Sequence, residues 1–169
     1  MKGPLALIFM GVTGSGKTAA ARLFAKRTGA SFYEGDDFHP AENVAKMRQG
    51  IPLTDEDRAQ WLQTLREIIM NSLAKNELAT ITCSALKAKY REILKGGDER
   101  VRFVFLAGSY ELIEKRLKER TGHFMPPSLL ASQFAILEPP TDALTFSCEK
   151  PPEEIVEELV HVLDAGKGA

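Results

Sequence analysis

The stretch GVTGSGKT, residues 11–18, follows an apolar run that ends at Met10 and leads into AAARLFAKRT, which has helical spacing. Glycines at 11, 14 and 16 let the backbone wrap tightly and turn its N–H groups inward. The helix that follows aims its positive end at the same point, and Lys17 adds a mobile ammonium. A complete GxxxxGKT octet between a buried strand and a helix is a phosphate-binding loop. An ordinary glycine-rich turn is the alternative, and the full octet in that setting weighs against it. Gly11, Val12, Thr13, Gly14, Ser15, Gly16, Lys17 and Thr18 are therefore expected around the phosphates of a nucleotide, with Lys17 on the β- and γ-phosphates and the Thr18 hydroxyl on Mg²⁺.

Outward from that loop, short apolar runs alternate with longer helical ones, the signature of βα units and a parallel sheet covered on both faces. Strands are predicted at residues 5–10, 31–34, 78–84, 101–107 and 144–148. A first helix is predicted over 17–28, closed by Gly29 as a left-handed cap. Thr54 to Asp57 reads as a helix start, and Trp61, Leu62, Leu65, Ile68, Ile69 and Leu73 follow at spacings that put one stripe on the core, with Arg58 at its beginning. The expected fold is α/β, a three-layer α/β/α arrangement of the P-loop NTPase type with a five-stranded parallel sheet and a helical lid. Residues 1–169 read as one domain, with the lid at about 116–137.

With 44% apolar residues the chain has enough material for a sizeable core, and its 27% charged residues favour a water-facing surface. A formal net charge of −1 gives no general electrostatic pull toward nucleic acid or an anionic membrane, so neither partner is expected. The apolar start runs straight into the glycine turn instead of a cleavage site and is far shorter than a membrane span. Cys83 and Cys148 make no metal spacing and no disulfide framework, which fits a reduced, cytoplasmic setting.

A phosphate loop does not by itself separate a kinase from a switch or a motor, so the acceptor side decides. FYEGDDFHP, residues 32–40, delivers Glu34, Asp36, Asp37 and His39 at the carboxyl end of the second strand, where open α/β sheets place their ligands. Glu34 and Asp36, two apart, are expected on one side of an extended strand, one for the metal shell and the other to take a proton from a substrate hydroxyl. A solvated acidic turn is the plainer alternative. Gly35 argues for close approach of ligand or backbone. No apolar run ends in an aspartate of the usual metal-binding strand, since the third strand ends in TITCSAL, so the metal site is expected to be sparse.

Charged residues at the ends of apolar stripes are candidates for substrate contacts. Arg58 fits a bidentate grip on a carboxylate, and Lys87 and Arg91, at i and i+4 in CSALKAKYR, are candidates for the same role. Arg116 and Arg120 share a helix face that runs into the turn-rich residues 121–127, as a lid over a nucleotide would, where they would offset charge on the transferred phosphoryl group. His123 is a candidate substrate contact in that lid. Surface solvation and helix pairing are the alternatives for each of these cations.

Taken in order, GVTGSGKT, EGDDFHPAENVAKMRQGIPLTDEDRAQWL, CSALKAKYR and RTGHFMPPSLLASQFAILEPP span nearly the whole chain. Together they resemble the small P-loop gluconokinases, relatives of the shikimate and adenylate kinases. The second and last stretches are far more specific than the first. The resemblance implies ATP-dependent phosphorylation of the 6-hydroxyl of D-gluconate, with Mg²⁺, in a cytoplasmic homodimer. It implies catalytic roles for Lys17, Asp36, Arg116 and Arg120, with Thr18 and Glu34 toward the metal. Asp36, His39, Arg58, Lys87, Arg91 and His123 would then face the substrate. Glu34 departs from the shikimate kinases, which carry an aspartate in a DxD pair there. From the residues alone, a kinase for another small hydroxy acid or a nucleoside monophosphate, a nucleic-acid kinase, and a non-catalytic ATP-binding regulator all stay open.

Overall fold

The computed structural model describes residues 3–120 and 127–166. Its centre is β1 (Leu5–Met10), where side chains alternate between two cores. Ala6, Ile8 and Met10 pack with Trp61, Leu65 and Ile69 on one face, and Leu7 and Phe9 pack with Phe24, Val156 and Leu159 on the other. Burial on both faces explains why the strand reads as an unbroken apolar run. With β2 (Ser31–Glu34), β3 (Leu78–Thr82), β4 (Val101–Ala107) and β5 (Leu144–Ser147) it forms one sheet of order β2-β3-β1-β4-β5. Every pairing is parallel. Because successive strands lie on opposite sides of β1, a crevice opens at its carboxyl end, and that is where the phosphate loop sits.

The helices are α1 (Lys17–Thr28), α2 (Ala41–Arg48), α3 (Asp55–Ala74), α4 (Ala88–Lys95), α5 (Tyr110–Glu119), α6 (Pro127–Ile136) and α7 (Pro152–Ala165). α1 ends on Gly29 at φ 76°, the left-handed cap that the sequence predicts. α3 starts on a capping box in which Thr54 accepts from the Asp57 N–H and Asp57 accepts from the Thr54 N–H. Its stripe is buried as expected at Trp61, Leu62, Leu65, Ile69 and Leu73, with Ile68 partly so.

Two local expectations are corrected, and one helix is new. Two predicted strands end early, β3 at Thr82 and β5 at Ser147, and beyond β3 the chain turns away through Ala85 at φ 45°. The second strand does not continue past Glu34: Gly35–Phe38 form a 3₁₀ turn, so Glu34 and Asp36 do not share a strand face. α2 has no counterpart in the sequence reading. It buries only Asn43, whose amide donates to the Asp57 carbonyl, and its Lys46 pairs with the Asp57 carboxylate, so it is held by α3 and not by an apolar stripe of its own. Among the described residues no helix is long and apolar enough to cross a membrane.

Candidate active site

Gly11 opens the phosphate loop at φ 146°, and a side chain there would meet the Leu106 carbonyl and the Ser15 hydroxyl, each at 2.8 Å. Glycine is therefore required by both conformation and space. Lys17 folds back so that its Nζ donates to the Gly11 and Val12 carbonyls, at 2.9 and 3.0 Å. Burial pushes the Lys17 ammonium below its ordinary value, while the Asp36 carboxylate opposes that shift. Among the described residues the Ser15 hydroxyl is buried without a hydrogen-bond partner. An orphaned donor inside a phosphate loop fits an anion that supplies the missing acceptor.

At the end of β2 three hydroxyl and carboxyl groups meet. The Thr18 hydroxyl donates to Glu34 Oε2 at 2.8 Å, and the Thr82 hydroxyl donates to Glu34 Oε1 at 2.6 Å. Thr82 is the polar end of β3 and stands where a metal-binding aspartate was missing from the sequence pattern. Next to it, Gly35 donates its N–H to Thr82 Oγ1 at 3.0 Å and accepts from Trp61 Nε1 at 2.8 Å. A Cβ on Gly35 would lie 1.8 Å from the Thr82 carbonyl oxygen. The close approach expected at this glycine is thus that of backbone.

This fixed turn throws Asp36 into a cleft that also contains Thr13, Lys17, His39, Arg58 and Trp61. Crowding by the cleft walls pushes the Asp36 carboxyl up, Lys17 pulls it down, and Glu34 and Asp37 push it up again. Its side chain stays 75% exposed, so water in the open cleft works against that rise. His39 is its opposite, 3% exposed and stacked on Trp61 at a centroid distance of 4.0 Å. Burial and the nearby Arg58 push the imidazole down to about 4, so it is neutral near pH 7. Asn43 Nδ2 lies 3.3 Å from His39 Nδ1. An amide nitrogen can only donate there, which assigns the ring proton to Nε2, 3.7 Å from Asp36 Oδ1. Arg58 donates to the Leu53 carbonyl at 2.6 Å and to the Tyr90 hydroxyl at 3.2 Å, which hold it at the rim.

Lys87 and Arg91 are not part of this cleft. Lys87 is the N-cap residue of α4 and pairs with Asp55 at 3.0 Å. Arg91 is buried and donates to the Ala85 carbonyl at 2.7 Å and the Glu138 carbonyl at 2.8 Å. The i, i+4 spacing that suggested a shared face fails because the helix begins only at Ala88. Arg116 and Arg120 line a different cavity, of about 470 Å³, formed with Gly14, Ser15 and Gly16 on the outer side of the phosphate loop. Arg116 is tied there to the Cys148 carbonyl, and neither arginine lines the cleft that contains Asp36. His123 lies outside the described residues.

Two neighbours of the cleft went unread in the sequence. Ser132 and Gln133 of α6 line it, and Gln133 Oε1 accepts from the Thr13 backbone N–H at 2.8 Å. Their only signal is a polar pair inside the apolar run LLASQFAIL. A phosphate loop on one side of Lys17 and an acid, a neutral histidine and an arginine on the other form the donor and acceptor halves of a small-molecule kinase site.

A family model described as shikimate kinase matches residues 13–163. The thermosensitive gluconokinase of Escherichia coli K12 is 51% identical over 133 residues, covering 79% of this chain and 71% of the relative. The chain belongs to the gluconokinase family. The gluconokinase of Gluconobacter oxydans is 46% identical, with 96% of this chain and 93% of the relative covered. The crystal structure of a gluconokinase from Sinorhizobium meliloti superposes with a TM-score of 0.83 at 42% identity, over 94% of this chain and 90% of that one. As a member of the gluconokinases this chain is an enzyme, a kinase of the P-loop class.

Proposed function

We propose that the protein transfers the γ-phosphoryl group of ATP to the 6-hydroxyl of D-gluconate, giving 6-phosphogluconate and ADP. The observation that carries this reading is one cleft that brings the Lys17 side of the phosphate loop, the Asp36 carboxylate and the Arg58 guanidinium to the same space. A sugar acid has a hydroxyl for the first two and a carboxylate for the third.

The phosphate chain is bound by N–H groups of the loop beyond Thr13, whose own N–H is held by Gln133, and by Lys17, with the Ser15 hydroxyl gaining its missing acceptor. Mg²⁺, when bound, supplies neutralisation of phosphate charge. The Thr18 hydroxyl and the Glu34 carboxylate would hold it, with phosphate and water completing its shell, because no cage of three or more His, Cys, Asp or Glu converges among the described residues. Asp36 accepts the proton of the attacking hydroxyl, and its raised pKa makes it a better base than an ordinary surface carboxylate. Neutral His39 donates from Nε2 toward Asp36 or a substrate oxygen without adding charge. Arg58 receives the acid group. Arg116 and Arg120 line the cavity beside Gly14, Ser15 and Gly16, and Arg120, close enough to lower the Lys17 pKa, offsets charge on the transferred phosphoryl group together with Arg116. Residues 116–137 act as the lid of a single kinase domain, and the family resemblance implies a cytoplasmic homodimer.

The test is ADP release from Mg-ATP with D-gluconate, shikimate, glucose and AMP offered separately. Stimulation by gluconate alone is expected; stimulation by another acceptor instead would overturn the substrate, and ATP binding without any stimulation would favour a regulator.

A further inference from the structure

α6 walls the acceptor cleft with Leu129, Ser132 and Gln133, and it is fastened at two points that face different halves of the site. At Gln133, Oε1 accepts from the N–H of Thr13, a phosphate-loop residue 120 positions away in the chain. A backbone N–H requires an acceptor, so this bond also fixes which way the amide is turned and leaves Nε2 for the cleft. Just past the helix, Glu138 donates its N–H to the Leu86 carbonyl at 2.8 Å, accepts from Arg91 Nη2 at its own carbonyl at 2.8 Å, and accepts from the Ala88 N–H at Oε1 at 3.2 Å. Leu86 itself lines the cleft. The helix that borders the acceptor is thus seated on the donor loop at one point and on the β3–α4 loop at the other.

We propose that Gln133 is a positioning residue that registers the acceptor wall on the phosphate loop, Oε1 holding Thr13 while Nε2 meets the hydroxyl-bearing end of the acceptor. The inference rests on the cleft being the acceptor site. In-line transfer needs the attacking oxygen about 3–3.5 Å from its target, and a displacement of about 1 Å costs on the order of 100-fold in rate. A wall referenced directly to the loop that holds the donor supplies that registration. The buried Arg91, outside the cleft, then acts at the second fastening.

The experiment compares Gln133→Met, similar in length but without an acceptor oxygen, with Gln133→Glu, which keeps one. Gluconate kinetics, thermal melts and amide hydrogen exchange at Thr13 are measured on the full chain. For Gln133→Met, kcat is expected to fall about 30-fold. The KM for ATP should stay within about twofold and the melting temperature unchanged, with Thr13 exchange accelerated about tenfold as its hydrogen bond is lost. Gln133→Glu is expected to restore protection at Thr13. Wild-type kcat in Gln133→Met, unchanged Thr13 exchange, or equal loss of protection in both variants each overturns the proposal. Should the Met variant fold poorly, Gln133→Asn, one methylene too short to reach, provides the same comparison. A wild-type protein that turns over no gluconate would sink the substrate reading, whereas Thr13 exchange in the variants would still decide the role of Gln133.

Discussion

Asp36 gathers the chemistry because three fixed neighbours aim it: Lys17 in front, His39 beside it, and Gly35 behind. Asp36→Asn keeps shape and loses basicity, so kcat should fall by about 100-fold or more with a small change in gluconate KM. Near-normal turnover in this variant would remove the base assignment. Since the cleft walls raise the Asp36 pKa above its ordinary 3.8, the acidic limb of kcat/KM should lie above that value in the wild type and vanish from the residual rate of the Asn variant. At Arg58 the emphasis reverses. Arg58→Ala should raise gluconate KM by about 10- to 100-fold, the loss of a charge-assisted pair, while ATP affinity holds. An unaltered gluconate KM would place Arg58 outside the pocket. These residues were legible because motif and spacing carry them: the lysine and threonine of the octet, the acids at a strand end, and an arginine heading an apolar stripe. Lys87, Arg91 and Arg116 were legible only as cations. What they touch, Asp55, the Glu138 carbonyl and the Cys148 carbonyl, lies far off in sequence and leaves no local trace.

Among the elements, the short turn after β2 determines more of the site than any helix. Gly35 has its N–H on Thr82, its carbonyl on Trp61 and no room for a Cβ, so the direction in which Asp36 leaves the strand is set by β3 and α3 together. Gly35→Ala forces β2 and β3 apart at their ends. A destabilisation of about 3 kcal/mol follows from overpacking of that kind. For a chain of this size it corresponds to a fall in melting temperature of roughly 6–12 °C. Activity should fall further than stability does, because Glu34 and Thr82 part along with the strands. A variant that melts like the wild type would show that the turn yields elsewhere. The start of α3 was readable because Thr54 and the acids after it are a local signal. The 3₁₀ turn was not, since period-two alternation is assumed to continue until something breaks it, and what breaks it here is the carbonyl of Thr82 on another strand. Gln133 escaped for the same reason: its partner, Thr13, is brought to it only by the assembled fold.

Over the whole molecule, the five strand segments could be read from apolar runs and their flanking turns, but the order β2-β3-β1-β4-β5 could not, because strand order depends on which crossover each helix makes. That order also decides a property no segment shows alone. With β2 at the sheet edge, the turn after it must be closed over by α2 and α3, and this closure buries His39 against Trp61 with Asn43 on its Nδ1. The cost of charging that ring appears as pH-dependent stability. In the unfolded chain the imidazole titrates at its ordinary 6.5, and in the folded protein at about 4. Between those values the unfolded state binds a proton that the native state does not, so stability rises with pH. The contribution of His39 is therefore complete above about pH 6.5 and drains away as pH falls toward 4. At one pKa unit per 1.36 kcal/mol its full size is about 3 kcal/mol. Urea unfolding of the wild type and of His39→Gln at pH 7 and pH 4.5 isolates it, because all other titrating groups are common to both proteins. The wild type should lose about 2–3 kcal/mol more than the variant over that interval. Equal losses would mean that the ring is solvated in the folded state, and the closure of α2 and α3 over the end of β2 would then be looser than the packing of His39 on Trp61 requires.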